Sequence, residues 1–318
     1  MRVSVIVPCH NAAKTLDACL CAIRAQTLAV SEIIVVDDAS TDACADIASR
    51  HGCTLIRQPA NRGVSAARNA GAAASRGEVL FFVDADIALE PAAIANAVAI
   101  LRADQRCAVV HGTYDAEPLV NDGPVEEYKV LSEYRWRTDR AGVVGFTLFA
   151  LTAIRRSVFE AVGGFDERLR NGEDVEFGTR LPAGCLVRMS NVVIGRHDDV
   201  DRLPALLAEQ FKRAVGYADV VKRARTASGS RTGALHPIGV ICCALTVAST
   251  LTIWAWPPMA LLALCGIAGF ILTYRSLLRF ALQRKGFGFT VYTGLLHFLV
   301  NAANLGGALV GLTRWALR

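Results

Sequence analysis

Leu80-Phe81-Phe82-Val83-Asp84-Ala85-Asp86 is the stretch on which the reading of this chain turns. A short apolar run of aromatic and β-branched residues reads as a strand buried on both faces. It stops abruptly at two carboxylates one residue apart. In an open α/β sheet, ligands bind outside the carboxyl ends of such strands, which is where Asp84 and Asp86 fall. Strand alternation places both side chains on one side and Ala85 on the other. Paired hard oxygens at that position suit Mg²⁺ or Mn²⁺, which take their remaining ligands from water and substrate phosphates. An Asp-x-Asp triplet arises by chance in a chain of this size, so its position carries the weight.

Upstream, strand and helix alternate at short spacing. Val3–Pro8 reads as a buried strand closed by its proline, and Asn11 is expected to open a helix of roughly fifteen residues. Glu32–Val36 is a second strand running into Asp37-Asp38, and Ser40-Thr41-Asp42 offers caps for a helix reaching Arg50. Thr54–Ile56 is a third strand, and a small-residue helix from Gly63 to Ala74 leads back to the opening stretch. This is the pattern of a mostly parallel, doubly wound α/β sheet. Further on, a helix is expected over 125–137, an apolar run over 143–151, and a loop rich in glycine and acids over 163–176.

Of the 318 residues, 53% are hydrophobic and 20% charged, and the mean hydropathy is +0.35. The apolar surplus lies after Leu235, which implies a catalytic domain over 1–200, a basic amphipathic membrane-surface segment over 201–234, and a transmembrane region over 235–318. Three spans are expected: Ile238–Trp256, Met259–Tyr274 beyond the Pro257-Pro258 break, and Gly286–Leu312. Between Arg202 and Arg231 stand seven Lys or Arg against Glu209 and Asp219, among an approximate apolar stripe that includes Leu206, Phe211 and Val215. Such a segment beside membrane spans suits anionic lipid. Basic residues at 275, 279, 284 and 285, with none in the Trp-Pro-Pro turn, orient the first domain toward the cytoplasm at an inner membrane. His297, Asn301 and Asn304 share one face of the last span and should point into a helix bundle. The ten cysteines are scattered without a Cys-x-x-Cys, a pattern of small buried hydrophobes in a reducing compartment.

Asp37-Asp38 end the second strand and Asp84/Asp86 the fourth, so both groups should line the same edge of the sheet. A carboxylate at the first place is suited to hydrogen-bonding a base or ribose. The glycine fingerprint of a dinucleotide site is missing after the first strand, where Pro8-Cys9-His10-Asn11 stands, and no Gly-Lys-Ser/Thr loop occurs. Nicotinamide chemistry and P-loop ATP hydrolysis are therefore excluded, and a nucleotidyltransferase lacks its basic glycine-rich loop.

Taken in order and spacing, 5–11 (VIVPCHN), 35–42 (VVDDASTD), 61–71 (NRGVSAARNAG), 82–86 (FVDAD) and 163–167 (GGFDE) followed by Glu173-Asp174 resemble the family-2 glycosyltransferases over about residues 1–200. The resemblance implies the nucleotide-diphospho-sugar transferase (GT-A) fold, a nucleotide-diphospho-sugar donor and inversion at the anomeric carbon. It implies that Asp38 with Asp37 holds the base, that Asp84 serves the ribose or the metal, and that Asp86 binds the Mg²⁺ or Mn²⁺ bridging the diphosphate. Pro8 and Asn11 fall beside the donor, and Asp174 matches the family's general base, with Glu173 placed to raise its pKa. Arg68 either pairs with donor phosphates or braces its helix. His197, after an expected strand at 192–194, is a third metal ligand, a phosphate contact or a structural residue. Ala13 departs from the acidic residue many relatives carry.

The reading is a membrane-anchored transferase whose acceptor is a lipid or lipid-linked saccharide, with no nucleic acid as partner. A soluble or polysaccharide acceptor and a non-catalytic scaffold are the alternatives. The Gln-x-x-Arg-Trp signature of processive relatives is broken at Gln210-Phe211-Lys212-Arg213-Ala214, which favours single transfer.

Overall fold

The protein is described by a computed structural model over residues 1–225 and 237–316. It falls into two units. The first comprises 1–122, 136–199 and 224–231, and the second 123–135, 200–223 and 232–318.

In chain order the elements of the first unit begin with β1 (Val3–Cys9), α1 (Leu16–Arg24), β2 (Glu32–Asp37), α2 (Cys44–Arg50), β3 (Thr54–Arg57), α3 (Val64–Ala74), β4 (Val79–Val83), β5 (Ile87–Leu89), α4 (Ala93–Ala103) and β6 (Cys107–Tyr114). After α5 (Pro124–Thr138), which begins in the second unit, come β7 (Gly142–Val144), β8 (Leu151–Arg155), α6 (Arg156–Val162), α7 (Glu173–Thr179) and β9 (Leu186–His197). The sheet runs β3-β2-β1-β4-β8-β6-β9-β5, with β7 against β9. Its first four strands are parallel, as the alternation predicts. Beyond β4 it is mixed, because β8 enters antiparallel to both β4 and β6. Strand order reverses at β1, so the carboxyl ends of β1, β2 and β4 meet at a switch point.

Each face of the sheet carries its own core. One packs α1, α2 and α4 against Val5, Val7, Val35, Phe81 and Val83. The other is a cluster of Phe82, Phe149, Phe159, Phe165 and Phe177, with Phe149–Phe165 and Phe149–Phe177 centroids 4.7 and 4.8 Å apart and edge-on. Edge-to-face rings at these distances match quadrupoles and seat the 163–176 loop on the sheet. The first helix starts at Leu16 rather than near Asn11, because Asn11 adopts φ 51° and belongs to the turn.

The second unit is helical: α5 through Arg135, α8 (Leu203–Arg225), α9 (Pro237–Thr252), α10 (Met259–Thr273) and α11 (Arg275–Ala316), the last broken at Gly286, where φ is 83°. Among the described residues one helix, over Arg275–Arg314, is long and apolar enough to cross a membrane. The expectation of three such spans is corrected here. α9 and α10 have 16 and 15 residues, about 24 and 22 Å at 1.5 Å per residue, short of the ~30 Å hydrocarbon core. The apolar stripe of α8 is not all outward: Leu206 is buried with Tyr128, Leu296 and Val300, and Gly307 and Gly311 let α11 approach the Phe211 and Val215 carbonyls. Of the expected basic stripe, the side chains of Lys222, Arg223, Arg225 and Arg231 lie outside the described residues. His297 and Asn301 do face the bundle, His297 Nδ1 lying 2.7 Å from Tyr128 Oη and Asn301 Oδ1 accepting from Tyr274 Oη at 2.9 Å. Leu251, Trp254, Leu261 and Phe287 are outward and exposed.

α3 comes close to the sheet at Gly71, where a Cβ would lie 2.4 Å from Ile6 Cγ2 and 3.2 Å from Val36 Cγ2. Gly71→Ala is expected to destabilise the protein by about 1–3 kcal/mol through overpacking, read as a lowered denaturation midpoint with unchanged slope.

Candidate active site

Two turns close over the carboxyl ends of β1 and β2. Asn11 (φ 51°) and Ala39 (φ 58°) are the described non-glycine residues with positive φ, a conformation that costs energy and gathers at functional sites. The turns are laced together. Asn11 Oδ1 accepts from the Thr41 N–H at 2.8 Å, Ser40 Oγ accepts from the Asn11 N–H at 3.0 Å, and His10 Nδ1 lies 2.8 Å from the Asp38 carbonyl. Pro8 is buried inside β1, one residue before its end.

The two expected base-binding carboxylates are buried and already engaged. Asp37 Oδ1 accepts from the Ser40 N–H at 2.8 Å, and Oδ2 is 3.5 Å from Arg57 Nε. Asp38 accepts from the Arg62 N–H at 2.8 Å and the Gly63 N–H at 2.7 Å, the entry to α3. Carboxylate oxygens carry two lone pairs each, so both keep acceptor capacity toward a ligand. His10, Asn11, Thr41 and Asp42 are exposed polar groups here. The sequence reading gave His10 no role and Thr41 only that of a helix cap, although a His and a Thr flanking strand-end turns were the signal.

Arg68 projects from α3 beneath this edge and is 3% exposed. Its Nη2 donates to Asp84 Oδ1 at 3.0 Å, while Nη1 reaches Glu173 Oε1 and Asp174 Oδ1, both at 3.3 Å. Its guanidinium also lies 5.6 Å from the Phe165 ring centroid. Arg68 thus bridges the end of β4 and the first turn of α7. Asn69 fastens the Gly163-Gly164-Phe165 loop to the same helix, its Nδ2 donating to the Phe165 carbonyl and its Oδ1 accepting from the Phe165 N–H, both at 2.9 Å.

Asp174 is further held by the Phe149 N–H, donating to Oδ2 at 3.1 Å, and by Thr147 Oγ1, donating to its carbonyl. Sequence reasoning missed Phe149, because a backbone N–H leaves no mark in residue type, and Thr147, whose hydroxyl lies in an apolar run without a motif. Burial raises the Asp174 pKa to about 7, opposed by the Arg68 charge and assisted by Glu173 and Asp84. Burial also raises the Asp84 carboxyl, against the pull of Arg68.

Asp86 stands apart from this bridge, at the turn between β4 and β5. Its Oδ1 is buried without a hydrogen-bond partner and lies 3.6 Å from His197 Nε2. An orphaned, hard carboxylate oxygen with a second carboxylate two residues away fits a divalent cation. His197 ends β9, stacked on Tyr114 at 4.5 Å, with Nδ1 3.2 Å from Asp199 Oδ2 but poorly aligned for a hydrogen bond. Burial works against charge on this ring, yet Tyr114, Asp199 and Asp86 raise its pKa well above the ordinary imidazole value. A protonated ring cannot ligate metal, so His197 must lose that proton to join the set. Nearby, Lys14 donates to Asp122 and, at 2.9 Å, to Asp198 Oδ1, tying the loop after β1 to the end of β9.

Residues 4–163 match the family model described as glycosyl transferase family 2. An uncharacterized glycosyltransferase of Haemophilus influenzae is 27% identical over 185 residues, 56% of this chain and 61% of that protein. The glycosyltransferase AglE of Haloferax volcanii is 28% identical over 229 residues, 69% of this chain and 73% of its own. The chain therefore spans under two thirds of the first of these relatives. A mannosyltransferase of Pyrobaculum calidifontis, PcManGT, solved in complex with GDP-Man and Mn²⁺, superposes with a TM-score of 0.60 at 23% identity, covering 96% of this chain and 86% of that one. That likeness is one of fold, a mixed α/β architecture around a central sheet of the GT-A kind.

Removing Arg68 leaves three partly buried carboxylates without their counter-charge. Arg68→Met is expected to cost about 3–5 kcal/mol at pH 8. A carboxyl whose pKa rises on folding holds its proton more tightly in the native state. Asp174 therefore contributes most stability below its ordinary 3.8 and loses it as pH climbs through about 7. The penalty of Arg68→Met should accordingly be smaller at pH 5, measured by chemical denaturation at the two pH values.

Proposed function

Because this chain belongs to glycosyl transferase family 2, we propose that it transfers a sugar, with inversion, from a nucleotide-diphospho-sugar to a lipid or lipid-linked acceptor at a membrane surface. The observation that carries this reading is the sharing of one buried guanidinium by Asp84 and Asp174. A donor-side and an acceptor-side carboxylate are thereby held at a fixed separation across Arg68.

In this mechanism the nucleoside lies on the turns after β1 and β2, beside Pro8 and Asn11, with Asp37 and Asp38 offering their free lone pairs. Asp86 with Asp84 would hold a Mg²⁺ or Mn²⁺, which neutralises charge on the departing diphosphate. His197 either completes that set once deprotonated or, as a cation, faces a phosphate. The acceptor hydroxyl attacks the anomeric carbon from the side opposite the diphosphate. Its proton passes to Asp174, the new C–O bond forms as the bond to the nucleoside diphosphate breaks, and the stereocentre inverts. A base poised near neutrality is the useful one at cellular pH, and burial brings Asp174 to about 7. Phe149 N–H and Arg68 hold the carboxylate in place while it accepts the proton.

The acceptor class is supported by the second unit. α11 is long and apolar enough to span a bilayer, and α9 with α10 forms a shorter apolar hairpin suited to partial insertion. With Arg275, Arg279, Arg284 and Lys285 gathered at the start of α11, this anchors the protein at an inner membrane with its catalytic unit cytoplasmic. An anchored enzyme meets a bilayer-bound acceptor at high effective concentration.

Membranes containing the protein, incubated with Mn²⁺ and radiolabelled nucleotide sugars, are expected to move label into the organic phase. Chelation with EDTA should stop transfer and Mn²⁺ or Mg²⁺ restore it. Asp86→Asn and Asp174→Asn should each lose at least about 100-fold in rate. Label confined to the aqueous phase would replace the lipid acceptor with a soluble or polymeric one, and nucleotide-sugar binding without transfer would favour a scaffold. The acid limb of kcat/KM should report a group near pH 7 in the wild type, activity rising with pH as Asp174 gives up its proton.

A further inference from the structure

A fully buried histidine stands behind this site. His111, on β6, is 0% exposed and faces Thr152 of β8 in register. Its Nδ1 lies 2.8 Å from Thr152 Oγ1, and its Nε2 accepts from the Leu148 N–H at 3.2 Å. Thr152 Oγ1 in turn donates to the Leu148 carbonyl at 2.6 Å. These contacts admit one proton arrangement. The Leu148 N–H needs a lone pair on Nε2, so the ring proton sits on Nδ1 and points at Thr152 Oγ1, whose own proton goes to Leu148. Burial and the Arg137 charge push the His111 pKa down to about 3, against a Phe146 carbonyl that favours protonation, so the neutral ring this arrangement needs is the stable one. Every donor in the ring His111–Thr152–Leu148 has one acceptor, and both backbone groups of Leu148 are fixed.

Leu148 is the centre of a short segment on which both working carboxylates depend. Next to it, the Phe149 N–H donates to Asp174 Oδ2 at 3.1 Å, and Thr147 Oγ1 donates to the Asp174 carbonyl. One residue further, the Ala150 carbonyl accepts from the Asp84 N–H at 2.9 Å. We infer that His111 is a positioning residue for sugar transfer: through Leu148 it sets the 147–150 segment, and so the placement of Asp174 against Asp84 across Arg68. It touches neither donor nor acceptor. The inference rests on the reading of Asp174 as base.

The test compares His111→Phe, which fills the space without an acceptor, with His111→Gln, whose amide oxygen can still accept from the Leu148 N–H, and with Thr152→Val. All are assayed in membranes, below their unfolding temperatures, with the nucleotide sugar the wild type uses. His111→Phe and Thr152→Val are expected to lower kcat about 10- to 100-fold, the scale of a small misplacement of reacting groups, with donor KM within about twofold of wild type. His111→Gln should recover most of kcat. A merely structural role would lower the melting temperature of both His111 variants and leave kcat of the folded protein unchanged, which would overturn the inference. Equal losses in His111→Gln and His111→Phe would overturn it as well, since the retained acceptor would then be irrelevant. An active Asp174→Asn would instead remove the underlying reading of the base, an outcome read from a different variant.

Discussion

Arg68 carries one positive charge into a place where three carboxylates converge, and much of the first unit is arranged so that this can happen. The guanidinium bonds Asp84, Glu173 and Asp174 from a helix interior rather than from a surface. Breaking such a group apart strands charge in a poorly solvated space, so the whole constellation stands or falls together. α3 must therefore lie close to the sheet, which the small residues of 63–74 allow and Gly71 requires. The loop over 163–176 must reach the same spot, which Asn69 and the phenylalanine cluster enforce. Packing on one face of the sheet is thus translated into the spacing of acids on its edge.

The acids also divide by environment. Asp86 keeps an orphaned oxygen while Asp84, two residues earlier, is bonded to a cation. Asp174 is held at the lip of neutrality by burial, whereas the bond from Arg168 holds Asp166 far lower, at about 2. Residues of one type at one edge can then hold a cation, fix a frame and accept a proton, because desolvation and partners separate them.

The edge itself was legible in the residues. Apolar runs ending in Asp37-Asp38 and in Asp84 declare both the strands and their carboxyl ends, and β1 to β4 follow the expected alternation. Less was legible where function is carried by backbone. Phe149 reads as a core aromatic and is one, yet its N–H is what meets Asp174. The strands beyond β4 are mixed in direction, a matter of long-range pairing that local periodicity does not encode. Asn11 reads as a helix start because asparagine caps helices, but the same side chain also tolerates a left-handed turn, and there the turn won. In the second unit, counting uncharged residues overstated helix length: α9 stops at Thr252, five residues before Pro257, so the uncharged run is longer than its helix.

The bonds from Asp38 to the Arg62 and Gly63 N–H groups have a bearing on how this scaffold can change over evolutionary time. The same carboxylate that follows β2 also fixes where α3 begins, and hence where Arg68 points. A substitution at 38 would unseat the helix entry and disturb Arg68, five residues past Gly63, together with the acids it bonds. One side chain thus couples the strand edge to the helix interior. Change along this edge is therefore channelled into exposed neighbours such as His10 and Thr41, which border the same turns without fixing α3.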